Sequence, residues 1–354
     1  MSATDSMRHP AATRFRATAL FACGAVIALM GSGQVANAQQ RSKQPPKAAA
    51  AAPAQDYSKA EVHILPVQGR TYMLVGAGGN ITVQVGDDGV FVVDTGVVQM
   101  SDKVLAAIRS LTDKPIRYVV NTHVHADHTG GNAAISKAGA TIAGGNVVSD
   151  IGASATNQAK VYAHQNVLDR MSTPEGNEPP AATDSLPTDT YTTPEWKLFF
   201  NGEGIELIHQ PAAHTDGDTM VFFRRSDVIS TGDIFVTNRY PIIDMPRGGT
   251  IQGELDALNR IIAIAIPADL QEDGTLIVPG HGRLCDVADV AFYQEMVTII
   301  RDRIKNMRDK GMTLEQVKAA KPTRDYDARY GATSGFWTTD MFVEAVYKTL
   351  SAKQ

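Results

Sequence analysis

Apolar and polar positions alternate in short bursts between Glu61 and Asp94, which predicts strands over 72–75, 81–85 and 90–94. Gly86-Asp87-Asp88-Gly89 supplies the residues of a hairpin turn between the last two. The period then lengthens. Val104, Leu105, Ile108 and Leu111 recur at helical spacing, and Ser101 is expected to cap that helix. An apolar strand over 116–120 runs straight into a histidine-rich segment. A helix from about Thr129 and a strand near Thr141 complete a strand–helix–strand unit.

Between residues 155 and 196 the periodicity fades, and Pro174, Pro179, Pro180, Pro187 and Pro194 interrupt it. A helix over 158–170 and then a long surface loop are expected there. Strands resume over 198–200 and 205–209, followed by a hairpin of 220–224 with 227–230 that ends at Asp233. A helix over 253–266 and a strand over 275–278 lead to His281. Tyr293, Met296, Val297, Ile300, Ile304 and Met307 then mark one face of a long amphipathic helix. Thr313 with Gln316 forms a capping box for a short helix, and a last helix spans about 339–350. The order of elements suggests two similar halves: one α/β domain with two facing mixed β-sheets and helices on the outer faces.

Composition narrows the class. Of 354 residues, 43% are hydrophobic and 20% charged, as in ordinary soluble globular proteins. A formal charge of −5 argues against a nucleic-acid partner. Arg8, Arg14 and Arg16 precede an apolar stretch from Ala17 to Met30, and Ala36-Asn37-Ala38 offers small residues for cleavage. Residues 1–38 therefore read as a secretory signal peptide, with a periplasmic or secreted product and no stable membrane anchor after processing. Residues 39–57, rich in Ala, Pro, Gln and Lys, read as a flexible linker. Residues 58–354 read as a single domain with a helical extension from about 285. Cys285 alone remains of the two cysteines once the signal is removed, so no intramolecular disulfide forms.

The chemistry is concentrated in Asn121-Thr122-His123-Val124-His125-Ala126-Asp127-His128. Zinc takes imidazole nitrogen and carboxylate oxygen. Alternation along an extended segment sends His123 and His125 to one side. A helix start then swings Asp127 and His128 toward the same space. Eight of the nine histidines lie beyond residue 38, and three of those sit in six consecutive positions, which a random surface run does not explain.

His-x-His-x-Asp-His at the end of a strand resembles the signature of the metallo-β-lactamase superfamily. Further pieces of that pattern follow in order: Asp94 in Val-Val-Asp-Thr-Gly, His214 in Ala-Ala-His-Thr-Asp, Asp233 in Thr-Gly-Asp, and His281 in Pro-Gly-His-Gly. The resemblance implies an αβ/βα sandwich holding two metal ions, expected to be Zn²⁺, with iron or manganese as other divalent candidates. It assigns His123, His125 and His214 to the first ion, Asp127, His128 and His281 to the second, and Asp233 to a position bridging both. Asp127 is expected to orient the nucleophile, and Asp94 to hydrogen-bond a ligand imidazole. An aspartate at position 233 resembles the glyoxalase- and lactonase-like branch rather than the β-lactamases proper. The implied activity is hydrolysis of a small-molecule lactone, ester, thioester or β-lactam by hydroxide held between the metals. The alternatives are an iron-dependent oxidoreductase of the same fold, or a weak β-lactamase. Arg239 and Tyr240, in a loop after Asp233, are candidate substrate contacts. His164, His209 and Cys285 read as structural.

Overall fold

The alternating runs of the sequence become the strands of two sheets in the computed structural model, which describes residues 56–141, 157–173 and 179–350. The first sheet runs in chain order: β1 (His63–Pro66), β2 (Thr71–Val75), β3 (Ile81–Val85), β4 (Val90–Val93), β5 (Ile116–Val120), β6 (Lys160–His164) and β7 (Asp189–Tyr191). Pairing is antiparallel through β4 and parallel from β4 to β7. The second sheet comprises β8 (Glu195–Phe200), β9 (Glu203–Gln210), β10 (Asp218–Phe223), β11 (Val228–Ser230), β12 (Leu276–Val278) and β13 (Cys285–Asp286). There only β11 and β12 run parallel. Both sheets are mixed, as the order of elements predicts.

Side-chain alternation divides each central strand between two cores. In β4, Phe91 and Val93 point between the sheets, where they meet Val221, Phe223, Val228 and Val278. Phe91 and Phe223 touch edge to face with ring centres 5.6 Å apart. Val90 and Val92 point outward to Val104 and Ile108 of α1 (Ser101–Leu111). Short helices α2 (Ala126–Thr129), α3 (Asn132–Lys137) and α4 (Gln165–Ser172) lie along the first half of the chain. On the second sheet, Met220, Phe222 and Ile229 face outward to α5 (Ile251–Ile264), α6 (Val287–Asp309) and α9 (Thr339–Thr349). Helices α7 (Leu314–Ala319) and α8 (Asp327–Tyr330) complete the C-terminal extension. Strands buried on both faces carry apolar residues at every position, which is why 90–93 reads as an unbroken apolar run.

This topology fixes where chemistry can occur. Strands β4, β5, β11 and β12 end at the same edge of the sandwich. Asp94, the 121–128 segment, Asp233 and His281 each follow one of those ends. His214 joins them from the turn between β9 and β10.

Several local expectations change. Ser101 does not cap α1: a 3-10 turn over Val98–Met100 precedes it, and the Ser101 hydroxyl donates to the Val98 carbonyl. The expected helix over 158–170 divides into β6 and α4, because a five-residue strand joined to a helix without a breaker leaves no clear period. Strands β7 and the first half of β8 fall where a loop is expected, each held by its neighbour in the sheet rather than by local pattern. Thr141 is not in a strand, and most of the strand expected near it lies outside the described residues, as do the signal peptide and all but the last two residues of the linker. Among the described residues no helix is long and apolar enough to cross a membrane.

Candidate metal centre

The 121–128 segment leaves β5 in extended conformation and enters α2 at His125, whose backbone sits at φ −66° and ψ 145°. One side chain organises that exit. Asp94 accepts the Thr122 backbone N–H at 2.8 Å, the Thr122 hydroxyl at 2.8 Å and His128 Nδ1–H at 2.7 Å. Asp94 itself adopts φ +64°, a left-handed conformation that aspartate tolerates better than most residues. It is buried at the end of β4, behind the site rather than in it.

The seven side chains converge. His123, His125 and His214 bring ligand-type atoms within 4.8 Å of one another, as do His123, His128 and Asp233, and as do Asp127, His128 and His281. His128 and His123 belong to two groups each, so the three groups form one continuous centre. Asp233 Oδ1 stands 3.2 Å from His128 Nε2 and 3.4 Å from His281 Nε2, while Asp127 Oδ2 is 3.2 Å from His281 Nε2.

Outer hydrogen bonds fix which nitrogen faces inward on four of the five rings, His128 among them through its Nδ1–H to Asp94. His214 Nδ1–H donates to the Ile242 carbonyl at 2.6 Å, so Nε2 carries the inward lone pair. His123 Nδ1 lies 3.0 Å from the Thr122 hydroxyl, whose own proton goes to Asp94, which leaves His123 Nε2 inward. His125 is the reverse: Nε2–H donates to Asp244 at 2.8 Å, so Nδ1 faces in. That Nδ1 and His214 Nε2 stand 2.9 Å apart, lone pair against lone pair. His123 Nε2 and Asp233 Oδ1 are buried without any hydrogen-bond partner. Buried acceptors aimed at one another are unfavourable unless a cation lies among them. The donor set therefore fits divalent metal ions.

Electrostatics agree. Burial holds His123 well below the usual imidazole range and His214 down to about 4, so both stay neutral and able to ligate. Burial opposes charge on His128 too, but the Asp233 and Asp94 carboxylates outweigh it and push that imidazole well above its usual range. Burial would raise Asp233 and Asp127. The histidines outweigh it, His281 and His128 holding Asp233, and His281 foremost holding Asp127, below the usual carboxylate range. The same carboxylates that favour positive charge at His128 would favour metal cations among these side chains.

Two supporting residues are not signalled by any spacing in the sequence. Asp244, nine-tenths buried, holds His125 and is itself held by Arg247 Nη1 at 2.9 Å. Asn80 donates from Nδ2 to the carbonyls of Pro279 and Gly282, at 2.9 and 3.1 Å, and so pins the turn that presents His281. Gly79 beside it has no room for a side chain, since a Cβ there would overlap the His128 ring.

A cavity of about 600 Å³ opens onto Asp127, Asp233 and His281. Met171, Thr173, Pro179, Ala181 and residues of the 239–247 segment line it, together with Phe336 and Trp337 of the C-terminal extension. Arg239 reaches it. Tyr240 does not: the ring is 1% exposed, stacks on Phe342, and shares its hydroxyl proton between Thr323 O and Asp327 Oδ1, so it belongs to the core rather than to a substrate contact. His164 and His209 lie away from the centre, stacked with ring centres 3.5 Å apart, and burial together with His209 holds His164 down to about 4. Cys285 is a buried free thiol pushed up to about 12 by burial, an unreactive state at neutral pH.

Comparison with known proteins places this geometry. A linear primary-alkylsulfatase of Pseudomonas sp. (strain ATCC 19151) is 34% identical over 87 residues, which are 24% of this chain and 14% of that enzyme. The stereoselective inverting sec-alkylsulfatase Pisa1 from Pseudomonas sp. superposes with a TM-score of 0.57 at 16% identity, over 82% of this chain and 50% of Pisa1. The chain thus spans half the length of that structural relative or less, and shares its fold. The profile of the metallo-beta-lactamase superfamily matches residues 74–281, a span that contains all seven converging side chains and Asp94. With the two-sheet sandwich and the ordered histidine and aspartate motifs, that match establishes that the chain belongs to the metallo-beta-lactamase superfamily.

Proposed function

We propose that the chain is an exported metal-dependent hydrolase that opens a small ester, thioester, lactone or β-lactam at a pair of zinc ions. His123, His125 and His214 would hold one ion and Asp127, His128 and His281 the other, with Asp233 available to both. Divalent ions held by these residues would supply Lewis acidity toward a carbonyl and a water made acidic to a pKa of about 7. The protein supplies the rest. Asp94 and Asp244 hold His128 and His125 in the tautomers that present the inward nitrogen. Asp127, at the cavity wall with its side chain 38% exposed, stays ionised and can orient a water by accepting its hydrogen bond.

The observation that carries this reading is the pair of orphaned buried acceptors, His123 Nε2 and Asp233 Oδ1, among imidazoles of which His123, His125, His128 and His214 already have their outer nitrogens committed. Export rests on the signal-like residues 1–38, which give a periplasmic or secreted product. A second reading, hydrolysis of a sulfate ester, is favoured by the 34% identity to an alkylsulfatase over 87 residues and by an arginine in the cavity, Arg239, that has no carboxylate partner among the described residues. Both readings are tested with one panel: a phenyl ester, a γ-lactone, a thioester, a β-lactam and an alkyl sulfate. Turnover of at least one member is expected, lost on chelation and restored by Zn²⁺. The class that turns over selects between the readings, and no turnover on any member contradicts both.

A further inference from the structure

Three arginines reach the cavity beside the metal centre, and two are already matched. Arg170 donates to Asp216 at 2.7 Å and Arg247 to Asp244 at 2.9 Å. Arg239 differs. Its side chain donates to Asn238 Oδ1 at 3.0 Å, and no carboxylate stands within salt-bridge distance of it among the described residues. Its place is nevertheless fixed, because its backbone carbonyl accepts the Tyr293 hydroxyl at 3.1 Å. The guanidinium lies 5.3 Å from the ring centre of Phe336, a phenylalanine 72% exposed to solvent. Next to it, Trp337 lines the same cavity and is anchored by its indole N–H to the Pro241 carbonyl at 3.1 Å.

An exposed phenylalanine beside an anchored tryptophan is apolar surface with nothing yet covering it. A guanidinium at its edge with no carboxylate partner among the described residues is a planar donor fork suited to two oxygens of one anion. Covering the rings with an apolar group would also exclude water from the guanidinium and strengthen its attraction for that anion. Neither feature serves the metal ions. Together they describe what the cavity selects.

We propose that the substrate is an amphiphilic anion: a carboxylate or sulfate group held by Arg239, on an apolar body that lies against Phe336 and Trp337. This inference rests on the hydrolase reading only for the bond that is cleaved, so it is tested by binding rather than turnover. Trp337 is the reporter, one of the two tryptophans in the chain. The zinc-loaded full chain is titrated with octanesulfonate, octanoate and 1-octanol, none of which carries an ester bond, while tryptophan fluorescence is followed.

At least one anion is expected to bind about tenfold or more tighter than octanol. Arg239→Gln, which keeps an amide able to donate to Asn238, should weaken that anion by about tenfold and leave octanol unchanged. Phe336→Ala should weaken all three ligands, and Trp337→Phe should abolish the fluorescence change. Preference for octanesulfonate assigns the site to sulfate, and preference for octanoate assigns it to carboxylate. Octanol binding as tightly as both anions, anion binding indifferent to Arg239→Gln, or a signal that survives Trp337→Phe would each overturn the proposal. Anion binding that behaves as expected in a protein inactive on every ester would instead fault the hydrolase reading alone.

Discussion

Asp233→Asn is expected to remove metal from the centre and hydrolysis with it, while the fold survives. The two side chains have nearly the same volume, and Asp233 sits on a 3-10 turn after β11 whose backbone bonds do not involve the carboxylate. What changes is charge. The carboxylate lies among His123, His128 and His281, and its Oδ1 is buried without a hydrogen bond of good geometry, so it is placed to attract a cation. An amide cannot bridge two cations as an anion does, and its N–H groups would point at imidazole nitrogens that should face a metal. Loss of an outer partner of a metal ligand costs about 10–100-fold in affinity or activity, and loss of a ligand shared by two ions should exceed about a hundredfold. Metal analysis and hydrolysis rates check the expectation, with far-ultraviolet circular dichroism to confirm folding. Two ions per chain with unimpaired turnover in this variant would remove Asp233 from the centre.

Asp94→Ala should damage stability and metal binding together. The side chain is 2% exposed and serves three donors, two from Thr122 and one from His128. Each buried donor left unpaired costs about 1–3 kcal/mol, so a loss of at least about 3 kcal/mol is expected. Alanine at φ +64° adds about 1–2 kcal/mol of backbone strain. Freed from Asp94, His128 would lose its fixed tautomer, and the affinity of the centre should fall about 10–100-fold. Asp94→Asn separates the two effects, because asparagine tolerates the left-handed backbone but offers one acceptor where three donors point. It should recover part of the stability and little of the metal affinity. A thermal melt and a zinc competition titration read the two separately. An unchanged melting temperature for Asp94→Ala would show that the 94–122–128 network does not hold the loop.

How far the centre could be read from sequence follows from how its residues are placed. His123, His125, Asp127 and His128 come from one turn at the end of one strand, so their spacing carries the geometry. His214, Asp233 and His281 are single residues whose placement depends on a sandwich that brings four strand ends together. Only the resemblance to a known pattern identified them. Asp94 was singled out by the same resemblance, and its carboxylate lies 2.7 Å from His128 Nδ1. Asp244 and Asn80 carried no signal, because each acts on a residue more than a hundred positions away through one or two hydrogen bonds. Tyr240 shows the converse: proximity in sequence to the cavity loop does not survive when a C-terminal helix offers Phe342 as a stacking partner. In the fold, the helices expected over 253–266 and 339–350 were legible to within two residues, as α5 and α9, and the stripe from Tyr293 to Met307 fell within the longer α6. Short strands such as β7, whose pairing is decided by the neighbouring strand, were not.

The most direct test of the two-metal account is the metal content of the purified full-length protein by elemental mass spectrometry. Two equivalents of zinc per chain are predicted, both lost to a strong chelator together with hydrolysis and both recovered with it. One equivalent of iron, accompanied by oxygen uptake in place of hydrolysis, would contradict the account and leave only the fold.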